Sequence, residues 1–236
     1  MENSAIQKNL EIVKDAIFNA EQKSLRKSGS VKLCAVSKFH PQEAVIEALC
    51  ANQFLFGENR VQEAYSKFTL LPEQYKKSAE LHIIGNLQLN KIKKAVEIAQ
   101  CIQSVDREEV LVEIEKHCAK IDKVISVFLE LHTGEESKSG YKTEESIFSS
   151  LENCANGKYP HIKPIGFMTM APFTNDEVAI RKSFSTTREL LEKSKKHFPN
   201  LSLTELSMGM SADYTIAIEE GSTLVRIGTA IFGNRE

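Results

Sequence analysis

The chain has 236 residues, of which 42% are hydrophobic and 26% are charged, with a formal net charge of −2 at pH 7. This balance is typical of folded globular proteins and argues against disorder, and the charge argues against a general nucleic-acid binder, which is usually basic. No apolar run approaches the ~20 residues of a membrane-spanning helix, and residues 1–4 do not begin a secretory signal.

The cysteines and histidines show no grouping that is typical of a metal site or a disulfide framework. Five cysteines are scattered along the chain, and none is spaced as C-x-x-C. The six histidines form neither H-x-H nor H-E-x-x-H. We therefore expect no structural metal, and the scattered thiols predict a reducing, cytoplasmic location.

The pattern of apolar residues predicts an N-terminal helix followed by alternating strands and helices. Residues 5–27 predict an amphipathic helix, because Ile6, Leu10 and Val13 fall on one face. The predicted strands are Lys32–Ser37, Phe54–Gly57, Leu81–Gly85, Cys101–Val105, Val124–Leu131, Ile162–Met170, Leu203–Met208 and Thr223–Gly228. The predicted helices between them are Gln42–Ala51, Val61–Phe68, Asn90–Ala99, Glu108–Ala119, Glu144–Cys154, Asp176–His197 and Asp213–Glu219.

This alternation predicts an α/β fold with parallel strands joined by crossover helices. Eight units in a chain of this length match a (β/α)8 TIM barrel. Residues 229–236 are too few for a normal outer helix, so we expect the helix within residues 1–30 to fill that gap. A doubly wound open sheet is the alternative, although no G-x-G-x-x-G follows the first strand. Because no Pro/Gly/Ser-rich linker is present, residues 1–236 are predicted to form a single domain.

Lys38 follows the first predicted strand directly. The carboxyl ends of barrel strands face the active site, and a neutral lysine amine forms imines with aldehydes. Position alone favours the alternative, an ordinary solvated lysine at a strand end.

Two turns rich in small residues suit a phosphate group. They follow the seventh and eighth strands, where barrels often bind phosphate, and contain Ser207, Gly209, Met210 and Ser211, then Gly228 and Thr229. Gly209 lets the backbone approach a ligand closely, and Ser211 is placed to cap a helix beginning near Asp213. Two ordinary turns and a helix cap are the alternative. With Lys38, the turns suggest pyridoxal 5'-phosphate held as an imine.

Arg226 shares an alternating face with Gly228 and is predicted to point inward toward the ring of that ligand. A guanidinium only donates hydrogen bonds, so a pyridine nitrogen that meets it must stay unprotonated and makes a weak electron sink. Pairing of Arg226 with a barrel carboxylate is the alternative. Weaker candidates are Asn59, His82 and Met168 at strand ends, and Lys138 in the polar loop after the fifth strand.

Seven segments, taken in order, resemble the YggS/PROSC family of pyridoxal-phosphate homeostasis proteins. They are Ala35–Lys38, Phe56–Asn59, His82–Gly85, Leu87–Lys91, Glu136–Gly140, Met168–Pro172 and Ser207–Gly233. The last segment is long and specific, and together they cover nearly the whole chain. Arg60, where an aromatic residue is common, and His132, where asparagine is common, depart from the family pattern.

The resemblance implies a fold like the N-terminal domain of alanine racemase, with pyridoxal phosphate bound as an internal aldimine on Lys38. It also implies that Arg226 meets the pyridine nitrogen and that the two turns hold the phosphate. Such proteins are regarded as buffering and delivering the cofactor in vitamin B6 metabolism without robust catalysis. We therefore expect a non-catalytic carrier that is monomeric, binds neither nucleic acid nor membrane, and serves apo-enzymes that need the cofactor.

A PLP-dependent amino-acid racemase is the alternative, and weak racemase-like activity stays open. Racemisation needs a second base opposite the lysine. Alanine racemases carry a C-terminal β-domain, and a partner subunit helps to supply that base. We expect neither in this chain, which leaves a pocket open to water.

Overall fold

A computed structural model describes residues 4–134 and 139–233. Among them, eight parallel strands close into a barrel in chain order. They are β1 (Lys32–Val36), β2 (Leu55–Glu58), β3 (Glu80–Ile83), β4 (Cys101–Val105), β5 (Ile125–Glu130), β6 (Ile162–Met168), β7 (Glu205–Ser207) and β8 (Leu224–Ile227). Closure is complete because β8 pairs with β1, with Lys32 opposite Leu224. The predicted TIM barrel is confirmed, and the open-sheet alternative is wrong.

Helices connect the strands around the outside of the barrel. They are α1 (Ala5–Lys23), α2 (Gln42–Cys50), α3 (Val61–Thr69), α4 (Glu73–Lys76), α5 (Ile92–Ile98), α6 (Glu108–Cys118), α7 (Glu144–Ala155), α8 (Glu177–His197), α9 (Tyr214–Glu219) and α10 (Thr229–Phe232). Short 3-10 turns lie at Leu89–Lys91, where α5 was predicted to begin, and at Ala119–Ile121. The sequence did not predict α4 and α10, because four residues are too few to show a helical period.

Two predicted strands are longer than those in the structure. The reason is that buried apolar residues beyond the ends of a strand do not form its hydrogen bonds. The run to Met170 predicts a longer sixth strand, but β6 ends at Met168. The run from Leu203 predicts six residues for the seventh strand, but β7 holds only Glu205–Ser207. Leu203 is buried in the core all the same. Apolar patterning follows burial, whereas strand bounds follow hydrogen-bond pairing.

The helix α1 fills the gap beside the short helix α10. It packs against α2, α9 and α10, and the side chains of Leu10, Val13 and Ile17 are buried there. The Nδ2 of Asn9 donates to the carbonyl oxygen of Ile231 at 2.9 Å. The N-terminal helix therefore takes the place predicted for it.

The helix α1 ends at Lys23, four residues before its predicted end. Leu25 adopts a left-handed conformation with φ +53° and so breaks the helix. The buried carboxylate of Glu21 accepts from the N–H groups of Gly29 (2.9 Å) and Val31 (2.8 Å). This carboxylate fixes the turn into β1, which helical periodicity alone does not reveal.

Candidate cofactor site at the mouth of the barrel

A cavity of about 550 Å³ opens at the carboxyl ends of the strands. The predicted site residues that line it are Lys38, Asn59, Met210, Ser211, Arg226, Gly228 and Thr229. Of the remaining predicted residues, Gly209 lies in the turn after β7, behind the residues that line the cavity. His82, Met168 and Ser207 lie in the barrel interior. The predicted Lys138 lies outside the described residues.

Lys38 lies two residues beyond β1 and lines the cavity. Cys34 belongs to the small apolar cluster inside the barrel, so alternation also turns Val36 and Lys38 inward. Ser37, between them, is fully buried and donates through Oγ to Glu58 Oε1 at 2.7 Å. Lys38 therefore projects into the cavity, while the backbone of its turn is anchored on the side that faces away from the cavity.

Arg226 lies on β8, the strand that pairs with β1, and is buried at the base of the same cavity. Its Nη1 donates to the carbonyl oxygen (2.7 Å) and Oγ (2.6 Å) of Ser207, and its Nη2 donates to the carbonyl oxygen of Thr169 (2.9 Å). These acceptors are neutral, and among the described residues no carboxylate forms an ion pair with Arg226. Burial lowers the pKa of Arg226, but a guanidinium stays protonated at neutral pH.

A chain of hydrogen bonds beneath the cavity supports Arg226. Ser207 Oγ donates to Gln103 Oε1 at 2.6 Å, and Gln103 Nε2 lies 2.7 Å from Nδ1 of His82. Because the amide nitrogen of Gln103 is a donor, Nδ1 of His82 must accept, and the ring proton of His82 is assigned to its Nε2. This Nε2 donates to Glu80 Oε1 at 2.9 Å. The hydrogen bond from His82 is the main reason that the pKa of Glu80 is lowered. His82 and Ser207 thus fix the guanidinium from below.

The turn after β7 lines the cavity through Met210, Ser211 and Ala212. Gly209 has φ +97°, which only glycine adopts readily. Asp213 accepts from the N–H of Met210 at 2.6 Å and occupies the cap position of α9. The prediction that Ser211 caps this helix is wrong, because Asp213 is closer to its first turn. Within the described chain, the N–H groups of Ser211 and Ala212 have no acceptor.

The turn after β8 lies beside it. Gly228 packs against β1 so closely that an added Cβ would lie 3.0 Å from the carbonyl oxygen of Val36. The N–H of Thr229 likewise has no acceptor among the residues that the structure describes. Both turns therefore offer free donors on one side of the cavity, as an anion requires.

Glu130, at the end of β5, lines the same cavity and was missed by the sequence analysis. Burial and the nearby charge of Asp106 raise the pKa of this carboxyl to about 7, against the opposing effects of Ser139 and Arg226. The signal for it was present: Phe128 faces the barrel interior, so a residue two positions later on the same strand reaches the mouth.

Comparison with known proteins agrees with this geometry. A family profile described as "Alanine racemase, N-terminal domain" matches residues 4–236. The chain is 37% identical over 234 residues to the "Pyridoxal phosphate homeostasis protein" of Vibrio cholerae, covering 98% of this chain and 97% of the relative. It is 35% identical over 224 residues to the protein of that name in Aquifex aeolicus, covering 95% and 96%.

Solved structures show the same architecture. The structure of PipY of Synechococcus elongatus "with PLP bound" matches with a TM-score of 0.83 at 32% identity, covering 97% of this chain and 100% of PipY. An alanine racemase of Corynebacterium glutamicum shares the fold with a TM-score of 0.73 at 17% identity, covering 98% of this chain and 61% of the racemase. The chain therefore belongs to the family of pyridoxal phosphate homeostasis proteins, whose barrel is the alanine racemase N-terminal domain.

The described residues contain neither a membrane-spanning helix nor a cluster of metal ligands. Across residues 4–134 and 139–233, no helix combines the length and the apolar character that crossing a bilayer requires. In the same ranges, His, Cys, Asp and Glu side chains form no group of three or more that could hold a metal ion.

Proposed function

We propose that this protein binds pyridoxal 5'-phosphate in the barrel cavity, keeps it covalently attached to Lys38, and buffers or delivers it without robust catalysis. The observation that carries the proposal is one cavity lined both by the inward-facing Lys38 and by the turns after β7 and β8, whose backbone N–H groups lack an acceptor among the described residues. The relatives' names and the PipY structure with PLP support it.

The residues present fit this cofactor, which supplies an aldehyde for covalent attachment and a phosphate for anchoring. The N–H groups of Ser211, Ala212 and Thr229 would hold the phosphate. A bond would form between Lys38 Nζ and the aldehyde carbon, and the aldehyde oxygen would leave as water. Because water reverses this bond, an open cavity allows both loading and release.

Arg226 supports storage rather than catalysis. Its guanidinium is fixed by three hydrogen bonds and carries only donors. Placed at the pyridine nitrogen, it would leave that nitrogen unprotonated, so the ring would draw little electron density from a bound amine. Proton removal at the α-carbon would then be slow.

A racemase-like enzyme is the second candidate, and Glu130 is the observation that favours it. This carboxyl lines the cavity and has a pKa raised to about 7, a range suited to general acid–base chemistry. Solvent deuterium exchange at the α-carbon of L- and D-amino acids distinguishes the two candidates. Exchange on the order of 1 s⁻¹ that disappears in both Lys38→Ala and Glu130→Gln would favour the enzyme.

The test of the carrier function is a binding and trapping experiment. Borohydride should fix pyridoxal phosphate to the peptide that contains Lys38, and a label on Lys91 instead would contradict the assignment. Lys38→Ala should lose the covalent product but still bind the cofactor through its phosphate. Pyridoxal without phosphate should bind the parent protein far more weakly, and equal binding would remove the phosphate site. Activation of an apo-enzyme by the loaded protein, without turnover of its own, would support delivery.

The setting that we propose is a reducing cytoplasm and a monomeric, single-domain protein. All five cysteines are free, and Cys34, Cys101 and Cys118 are buried, which suits a reducing compartment. Sedimentation of the loaded protein at several concentrations tests the monomer.

A further inference from the structure

A buried ionic cluster lies behind the turn that carries Lys38. At its centre, Lys67 Nζ donates to the carbonyl oxygen of Ser37 (2.8 Å), to Glu58 Oε1 (2.6 Å) and to Glu63 Oε1 (3.1 Å). An ammonium group has three N–H donors, so Lys67 uses all of them here. One of its acceptors is thus the backbone directly before Lys38.

The two carboxylates of this cluster hold the chain on both sides of Lys38. Glu58 accepts from Ser37 Oγ at 2.7 Å, and Glu63 accepts from the backbone N–H of Phe39 at 2.6 Å. Phe39 has φ +67°, a left-handed conformation that a side chain disfavours. The turn therefore keeps an unfavourable backbone conformation that Glu63 helps to hold.

Burial of these charged groups costs free energy, so the cluster is an unfavourable means of attaching a helix. Glu58 is fully buried and Lys67 is 7% exposed, and the second carboxylate oxygen of Glu58 has no partner among the described residues. Burial also raises the pKa of Glu58. Apolar side chains commonly stabilise such a contact at least as well as a buried ion pair. What apolar side chains cannot supply is a set of hydrogen bonds that fixes the backbone on both sides of one residue.

We propose that Lys67, Glu58 and Glu63 are positioning residues, which hold the Lys38 turn where its amine meets the aldehyde of a phosphate-anchored ligand. This inference rests on the proposed function. The ligand is held at two points, so the bond between Lys38 Nζ and the aldehyde carbon forms only if the turn keeps its distance from the phosphate site. A misplacement of about 1 Å can slow such a reaction about 10²-fold.

The first test is Lys67→Met, which keeps an unbranched side chain one atom shorter and removes the donors. The rate of borohydride-trapped attachment of pyridoxal phosphate to Lys38 should fall at least about tenfold. Affinity for pyridoxine 5'-phosphate, which has an alcohol in place of the aldehyde, should stay within about twofold, because that ligand reports phosphate anchoring alone. A merely structural role for Lys67 would not separate these two measurements.

The matched control is Lys123→Met. Lys123 also donates to backbone carbonyls, those of Val96 and Ala99 at 2.7 Å each, but its acceptors precede β4 at the other end of the barrel. This variant should lose stability without slowing the attachment. Equal slowing in the two variants would mean that general loosening is the cause, and would overturn the inference.

A second variant decides the question if Lys67→Met does not fold. Glu63 is partly exposed, so Glu63→Ala should fold while releasing the N–H of Phe39. Its attachment rate should fall several-fold with pyridoxine 5'-phosphate binding retained. If the parent protein attaches the cofactor to Lys38 and Glu63→Ala does so equally fast, the positioning role is refuted. If the parent attaches none, the proposed function itself fails.

Discussion

Substitution of Glu130 by glutamine removes a buried carboxyl and should change how stability depends on pH. Burial, with the nearby charge of Asp106, raises the pKa of Glu130 from its ordinary value of 4.5 to about 7. Between these two values, the unfolded chain releases a proton that the folded chain keeps. The contribution of this carboxyl to stability is therefore complete below about pH 4.5 and is lost as the pH rises to about 7.

The size of the effect follows from the same two pKa values. One pKa unit corresponds to about 1.36 kcal/mol, so the rise at Glu130 corresponds to roughly 3 kcal/mol. Relaxation around the ionised group and its contact with the mouth of the barrel reduce this to roughly 1–3 kcal/mol. Glu130→Gln keeps the shape but cannot ionise, so it should exceed the parent in stability by that amount at pH 8. The difference should vanish near pH 4, where both side chains are neutral.

The assay is urea unfolding of the ligand-free proteins at several values between pH 4 and pH 8.5. Glu152→Gln is the control, because Glu152 lies exposed on α7, and its stability should follow that of the parent at every pH. If the stability of Glu130→Gln and of the parent changes in parallel with pH, the burial argument for Glu130 is refuted.

Three further substitutions test the packing of the barrel by urea unfolding. Gly166→Ala should cost roughly 3 kcal/mol or more, because an added Cβ would lie 1.8 Å from the carbonyl oxygen of Glu205; a near-neutral result would mean that β6 and β7 separate easily. Arg226→Leu should cost roughly 2–4 kcal/mol, because it leaves the buried acceptors of Ser207 and Thr169 unpaired; unchanged stability would contradict their role. Leu10→Ala should cost about 2–5 kcal/mol, and a much smaller loss would show that α1 is not part of the core.

The sequence was sufficient to predict the barrel and to predict which side of each strand faces the cavity. Lys38 and Arg226 both line the cavity, because residues two apart on a strand share a face. The same rule does not give depth. His82 and Met168 face the interior as expected, yet Ile84 and Met170, two residues later, line the cavity.

The predicted residues and those that line the cavity are separated by one layer of side chains. Two residues along a strand span about 6.6 Å, which separates the barrel interior from its mouth. Strand ends predicted from apolar patterning are uncertain by that amount, so His82 and Met168 lie one layer of side chains below the cavity lining. The i,i+4 spacing of Glu63 and Lys67 indicates a helical ion pair, but the contacts of Lys67 with Glu58 and with the carbonyl oxygen of Ser37 could not be predicted, because they join separate elements of the fold.

The position of α1 has a consequence for the order in which the chain assembles during synthesis. Its apolar face packs against α2 and also against α9 and α10, and β1 pairs with both β2 and β8, so α1 and β1 complete their contacts only after β8, α9 and α10 have been synthesised. Contacts of such long sequence separation form slowly. Until then, Leu10, Val13 and Ile17 lack part of the surface that they cover in the folded protein, so the unfinished chain exposes apolar area that favours aggregation.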